Sequence, residues 1–348
     1  MCFCQLVLIG LHIYSSNLFI FLLMCAFIPL NFLCLKGDLN FKLAIFSFVI
    51  CVLLGMAGIL GYAELNTVAT GILAGFNTLL LSINSCRKSF IKYSLIFLYG
   101  FNLIILYLAF KNNFDPLFGN EIFFNKSRNY VSGTLALFSI YYLALCKRFE
   151  VQISLLVLLI LLLNSILLYG RSGVLVAFLI LLYGIYQKFG RIIFLGTLSI
   201  GIIFFSMIFL ILQDFTNFSE GLDTPRTLLL TEYLSSLGKN YYLIFGADLK
   251  NCCGVIQYYG YNPHNSFLMS HSIFGIVTIV PISIILWSIL SSRQSAMIFL
   301  CLIILIRFWL DSMGLYTYYD LALYTIFYCC YSSKVFNNFD TKNTIFKN

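Results

Sequence analysis

Leu155-Leu156-Val157-Leu158-Leu159-Ile160-Leu161-Leu162-Leu163-Asn164-Ser165-Ile166-Leu167-Leu168-Tyr169 runs without a charge into Gly170-Arg171-Ser172-Gly173, and the apolar pattern resumes at once with Val174-Leu175-Val176-Ala177-Phe178-Leu179-Ile180. A helix needs about twenty apolar residues to cross roughly 30 Å of hydrocarbon at about 1.5 Å per residue. Two such runs around a four-residue turn read as a pair of membrane helices. Barrel strands would be about half as long and would alternate in polarity.

The same reading extends in both directions. Apolar spans fall at 17–35, 41–61, 66–84, 90–110, 129–146, 151–169, 172–188, 191–213, 265–290, 295–312 and 315–332. Residues 3–14 are apolar but short, and form either a twelfth crossing or part of a long, tilted first one. The expected fold is therefore all-α, a polytopic membrane helical bundle of eleven or twelve transmembrane helices, with twelve preferred. Residues 1–348 form a single transmembrane domain, and residues 214–264 form one large loop, containing short helices, inserted within it.

Composition agrees. With 61% hydrophobic and 10% charged residues and a mean hydropathy of +0.96, the chain falls outside the range of soluble globular proteins, in which about a quarter of residues are charged. The first basic residue is Lys36, so the positive region of a cleavable signal peptide is missing and the first helix is expected to stay in place. Of twelve cysteines, Cys25, Cys51, Cys146 and Cys301 lie inside apolar runs and read as small hydrophobes. Cys252-Cys253 is the only pair on a polar loop; it lacks metal-ligand spacing and would be strained as a vicinal bridge. No metal site and no cofactor are expected.

Basic residues collect in alternate loops. Lys36, Arg87, Lys147, Lys188, Arg293 and their neighbours, with the tail, amount to thirteen cations against three acids, whereas the opposite side holds eight cations and ten acids. The positive-inside rule makes the first set cytoplasmic. The net charge of +8 thus reports topology rather than a nucleic-acid partner. The outer face receives the loop from Lys111 to Arg128, the Gly170–Gly173 turn, the large loop and Asp311.

Five segments there could carry chemistry. Arg171 sits between two glycines in a tight turn, and its planar fork of donors suits phosphate, although a helix-end arginine can also simply snorkel. Arg226 opens an amphipathic stretch, with Thr224 as N-cap, Pro225 first in the helix and Leu228, Leu229 and Leu230 resting on the membrane domain. A helix N-terminus with an arginine suits an anion; the plainer alternative is a surface salt bridge to Glu232 or Asp223. His264 in Tyr261-Asn262-Pro263-His264-Asn265-Ser266-Phe267-Leu268 lies where the polar loop meets an apolar run. Pro263 and Asn265, the latter as helix cap, would hold its imidazole at a defined height, where it can take a proton near neutral pH; a satisfied loop histidine is the alternative. His271, two turns deeper, suits a structural hydrogen bond. Arg128, in Asn125-Lys126-Ser127-Arg128-Asn129-Tyr130, and Arg307 with Asp311, an i,i+4 ion pair, complete the set.

Gly170-Arg171-Ser172-Gly173, Arg226, Pro263-His264-Asn265-Ser266-Phe267-Leu268 and, before them, Ser127-Arg128-Asn129-Tyr130 resemble the O-antigen polymerase and O-antigen ligase superfamily over residues 110–315. The resemblance implies a glycosyltransferase C-type helical fold in the bacterial inner (cytoplasmic) membrane, with its active site facing the periplasm. Its substrate would be an undecaprenyl-diphosphate-linked oligosaccharide, embedded in membrane lipid, with a chain-length regulator as a possible further partner. Arg171 and Arg226 would hold the diphosphate, and His264 would act as base or phosphate ligand. Arg128, Asn265, Tyr261 and Asp311 would bind substrate, with Asp311 the acidic fallback base. Tyr241, Tyr242, Tyr258, Tyr259 and Tyr261 would stack on sugars or anchor the loop at the interface. The implied activity is that of an O-antigen polymerase in lipopolysaccharide biosynthesis, joining repeat units with inversion and without metal. A ligase acting on lipid A core is one alternative. A polyprenyl-linked sugar transporter is another, disfavoured because transporters gather polar residues at the midplane.

Overall fold

The computed structural model describes residues 1–115, 118–124, 127–214, 225–239 and 241–345, with the side chains of these apart from 204–214, 225 and 334–345. The described residues are helical and contain no strand. Among the described residues, six helices are long and apolar enough to cross a membrane: α3 (Asp38–Leu60), α4 (Leu65–Ser85), α5 (Phe90–Lys111), α6 (Arg128–Arg148), α8 (Arg171–Phe189) and the broken helix over Ser266–Ser291. Shorter apolar helices stand beside them: α1 (Cys2–Ser15), α2 (Leu18–Leu33), α7 (Leu155–Leu167) and α15 (Ser295–Leu310), and α9 (Arg191–Asp214) is apolar over Arg191–Ile203. The chain closes on α16 (Leu321–Ile345). The protein is a multi-pass helical membrane bundle.

Which helices meet lipid follows from their composition. On α3, Phe46, Phe48, Val49, Val52, Leu53 and Met56 are exposed; in water such a face would be an aggregation patch, whereas in a bilayer it is the lipid surface. α6 is the reverse. Every residue from Val131 to Cys146 is buried, including Ser132, Thr134 and Ser139, and α5, α8, α15 and α16 pack around it. Small residues let these backbones approach closely. A Cβ at Gly173 of α8 would lie 2.5 Å from Ser132 Oγ, and one at Gly133 of α6 would lie 2.4 Å from Met313 Sδ and 2.5 Å from Arg307 Nε. Gly133→Ala is accordingly expected to lower the stability of the detergent-solubilised protein by about 1–3 kcal/mol through overpacking. Gly100→Ala, whose new methyl meets open space, should leave the thermal unfolding midpoint unchanged or slightly raised.

Two helix boundaries depart from the sequence reading, and an alternative it left open for residues 3–14 takes the preferred form of a separate helix. The first apolar segment is not one long tilted helix: Ser16 takes a left-handed backbone (φ 50°), and the Asn17 side chain caps a new helix by accepting from the Phe19 amide at 2.7 Å. α1 is fastened instead by buried amides, with Gln5 donating to Asn77 (2.7 Å) and Asn31 donating to Gln5 (2.9 Å). The run 265–290 divides into α13 (Ser266–Phe274), a 3-10 turn and α14 (Ile279–Ser291). The break is at Gly275 (φ 61°), where a Cβ would lie 2.0 Å from the Ile244 carbonyl of the large loop. The last span starts at Leu321 rather than 315, because Leu315 and Tyr316 are left-handed and the Asp320 carboxylate collects the Leu315 and Thr317 amides, both at 2.7 Å.

Between α9 and α13 the large loop forms three short helices, α10 (Pro225–Ser236), α11 (Tyr242–Phe245) and α12 (Gly254–Tyr258). Leu229, Tyr233, Tyr242, Cys253 and Ile256 form a small core of their own. His271 of α13 ties that core to the bundle, one ring nitrogen 2.7 Å from the Tyr233 hydroxyl and the other 3.0 Å from the Leu243 carbonyl.

Candidate functional site

The end of α15 is the point where the outer elements meet. Arg307 lies in its last turn and Asp311 caps it. Their i,i+4 spacing allows a direct ion pair, Nη2 to Oδ2 at 2.9 Å, with Arg307 wholly buried. The same guanidinium donates through Nη1 to Ser172 Oγ at 2.8 Å and through Nη2 to the Asn129 carbonyl. Ser172 and Asn129 are the second residues of α8 and α6. One buried arginine therefore pins two helix N-termini to the end of a third helix.

Two further elements join the same point. Ser266, first residue of α13, donates to the Asp311 carbonyl at 2.7 Å and accepts from the amides of Met313 and Gly314, both at 3.0 Å. Asn265 caps α13 as its sequence position suggests, accepting from Phe267 (2.9 Å) and Leu268 (3.1 Å), while its Nδ2 donates to the Trp309 carbonyl at 3.1 Å. From the loop, Arg226 Nη2 approaches Asp311 Oδ1 at 3.5 Å. Arg226 does not pair with Glu232. That carboxylate accepts from Val255 (3.0 Å) and Ile256 (3.2 Å) and so caps α12. Asp223, Thr224, Asn125 and Lys126 lie outside the described residues.

His264 precedes this cap in a left-handed conformation (φ 48°). The conformation is held by Asn262, whose Oδ1 accepts from the His264 amide at 2.8 Å and from Ser312 Oγ at 2.5 Å. Ser312 in turn lies 2.9 Å from the Tyr130 hydroxyl of α6. The imidazole meets the Tyr259 ring edge to face with centroids 6.1 Å apart. Burial pushes its pKa below the usual histidine value; the Asp311 carboxylate opposes this and Arg226 adds to it. The ring is therefore neutral at pH 7, the state able to accept a proton.

Arg128 and Arg171 are the first residues of α6 and α8, next to the two contacts of Arg307, and both are half-buried. Arg226 is the second residue of α10. Three arginines thus stand in the first turns of helices gathered at the end of α15, where the positive end of each helix dipole favours an anion. Asp311, 2% exposed at its side chain, is shared by Arg226 and Arg307. It therefore braces the helix ends, and the i,i+4 ion pair with Arg307 is the one its spacing suggests. Among the described residues no group of three His, Cys, Asp or Glu could hold a metal ion.

The loop itself requires several corrections. Leu229 is buried in the loop's own core, and Leu228 is exposed instead of resting on the membrane domain. Tyr242 is also in that core, against Tyr62 at 5.1 Å, so it is unavailable for stacking on a ligand. Tyr241, Tyr258, Tyr259 and Tyr261 are exposed. Cys252 and Cys253 are joined as a vicinal disulfide at the start of α12. The contributions of Asn129, Tyr130, Asn262, Ser266 and Ser312 went unassigned in the sequence. Their one visible signal was adjacency to Arg128, His264 and Asp311.

No protein-family model matches this chain, and no curated protein or solved structure does either.

Proposed function

We propose that this protein is a glycosyltransferase of the inner membrane that takes glycan from an undecaprenyl diphosphate carrier at the periplasmic face, in the manner of an O-antigen polymerase. The observation that carries the reading is the gathering of Arg128, Arg171 and Arg226, each at or beside a helix N-terminus, around one end of α15 with His264 beside them. Such an arrangement suits a diphosphate better than a neutral or cationic ligand. The acceptor hydroxyl of a second lipid-linked repeat unit attacks the anomeric carbon from the face opposite the diphosphate. The new glycosidic bond forms as the anomeric carbon–oxygen bond to phosphate breaks, so configuration inverts. The hydroxyl proton passes to His264, and the arginines receive the charge that develops on the leaving diphosphate.

The residues support this division of labour in three ways. Arg307 is wholly buried and committed to holding the helix ends, which leaves the more accessible Arg226 to meet a ligand. A neutral His264 can act as base without first losing a proton. Exposed tyrosines of the loop, Tyr241, Tyr258, Tyr259 and Tyr261, lie on the segment that would face the sugars.

Deletion of the gene and complementation with Ala variants of Arg171, Arg226 and His264 test the reading. Loss of long polysaccharide ladders at normal protein level supports it, and normal ladders from all three variants refute it. Core carrying a single repeat unit in the deletion strain identifies a polymerase; bare core with glycan retained on the carrier identifies the ligase instead.

The histidine gives a pH signature. Its folded pKa lies below that of the unfolded chain, so between the two values the unfolded state binds more protons and stability falls as pH is lowered. Transfer rate should accordingly hold steady through neutral pH and fall only below the ordinary histidine value of about 6.5. In His264→Gln that acid limb should be absent from the residual rate; an unchanged limb would remove His264 from the role of base.

A further inference from the structure

α6 and α8 both run from the arginine cluster to the opposite face, so their C-terminal ends lie about 30 Å away at 1.5 Å per residue. A cavity of about 450 Å³ opens there, between these two ends and the extended segment that leads into α7. Lys147, Lys188, Gln152, Gln187 and Tyr183 line it, with Glu150 as its acid. Neither lysine forms an ion pair among the described residues, and Lys188 leans over the Phe189 ring at 5.4 Å. Tyr183 is 4% exposed and its hydroxyl is buried without a hydrogen-bond partner. A buried hydroxyl left unpaired costs free energy that a polar ligand would recover.

We propose that this cavity binds a phosphate-bearing anion. The two ammonium groups supply the charge, the glutamines and the tyrosine supply neutral donors, and Phe189 with Val151 and Ile153 of the lining offers an apolar margin suited to an acyl chain. Basic pockets between helix ends at a membrane surface recognise anionic headgroups in this way. The lysines would otherwise do no more than offset two helix dipoles and set topology. The site is separate from the arginine cluster and does not depend on the glycan-transfer reading; charge asymmetry places it on the cytoplasmic side.

Binding to the purified full-length protein in uncharged detergent separates the possibilities, using phosphatidylglycerol, phosphatidylcholine, glycerol phosphate and inorganic phosphate as probes. Phosphatidylglycerol binding that weakens on the order of 30-fold in Lys147→Gln/Lys188→Gln is expected, with the same binding retained in Arg171→Ala/Arg226→Ala. Lysine-dependent binding of glycerol phosphate or inorganic phosphate at equal strength would assign the site to a soluble phosphate instead of a lipid. Tyr183→Phe, which removes the unpaired hydroxyl alone, should weaken binding without lowering stability. Equal binding of phosphatidylcholine, or binding indifferent to the double lysine change, overturns the proposal.

Discussion

Asp311→Ala is expected to leave too little folded protein to assay. Arg307 is fully buried and its direct counter-charge is this carboxylate, 2.9 Å away. Breaking such a pair strands a charge out of water, at a cost of about 3–5 kcal/mol, a large part of the stability of a typical domain. The loss extends further than one pair, because Arg307 also holds Asn129 of α6 and Ser172 of α8. Solubilised yield and thermal unfolding read this directly. Replacing both charges together, Arg307→Met with Asp311→Leu, should recover much of the yield, since apolar groups of similar volume leave no buried charge. The recovered protein should still lack activity, because Arg226 would have lost its partner at 3.5 Å. Recovery of full transfer by the double variant would show that Asp311 has no positioning role.

Arg226→Ala should do the opposite, sparing the fold and removing function. Its side chain is 37% exposed and its pairing with Asp311 is long, so the stability change should stay near 1 kcal/mol or below. If its guanidinium receives charge from the leaving diphosphate, the transfer rate should fall by about 10²–10³, the range seen when one donor to a developing anion is removed. Arg226→Lys should restore only part of that rate, since an ammonium keeps the charge but loses the planar fork. A rate within a few-fold of the original in Arg226→Ala would place this arginine outside the reaction.

The helical bundle was legible because a bilayer imposes long apolar runs that no soluble context would tolerate, as in Asp38–Leu60. The i,i+4 relation of Arg307 and Asp311 was legible for a similar reason, since helix geometry alone brings the two together. Contacts across the chain were not. Arg226 and Asp311 are far apart in sequence, and nothing local distinguishes pairing with Asp311 from pairing with Glu232 until α12 claims the glutamate through its free amides. The Leu228-Leu229-Leu230 run has no period to show which leucine is buried; Tyr233, Cys253 and Ile256 make that choice by packing on Leu229. The late start of α16 turned on Asp320, whose carboxylate collects the loop amides, and on two left-handed residues that apolar composition conceals.

Arg128 and Arg171 illustrate the same limit. Each stood out as a basic residue on the face where such residues are scarce, yet their shared position as the first residue of a helix, next to the two contacts of one buried arginine, required the packing of α6, α8 and α15. That packing brings the starts of α6 and α8 to one end of α15, and under the proposed function it makes separate cations one anion-directed surface.

Binding of a polyprenyl diphosphate to the purified protein tests that surface most directly, with the monophosphate and the free polyprenol as comparisons and Arg171→Ala and Arg226→Ala as variants. The diphosphate should bind best, and each variant should weaken it by about 10- to 100-fold, the loss of one charge-assisted hydrogen bond, while leaving polyprenol binding unchanged. Equal affinity for all three lipids, or an affinity indifferent to both arginines, would contradict the account.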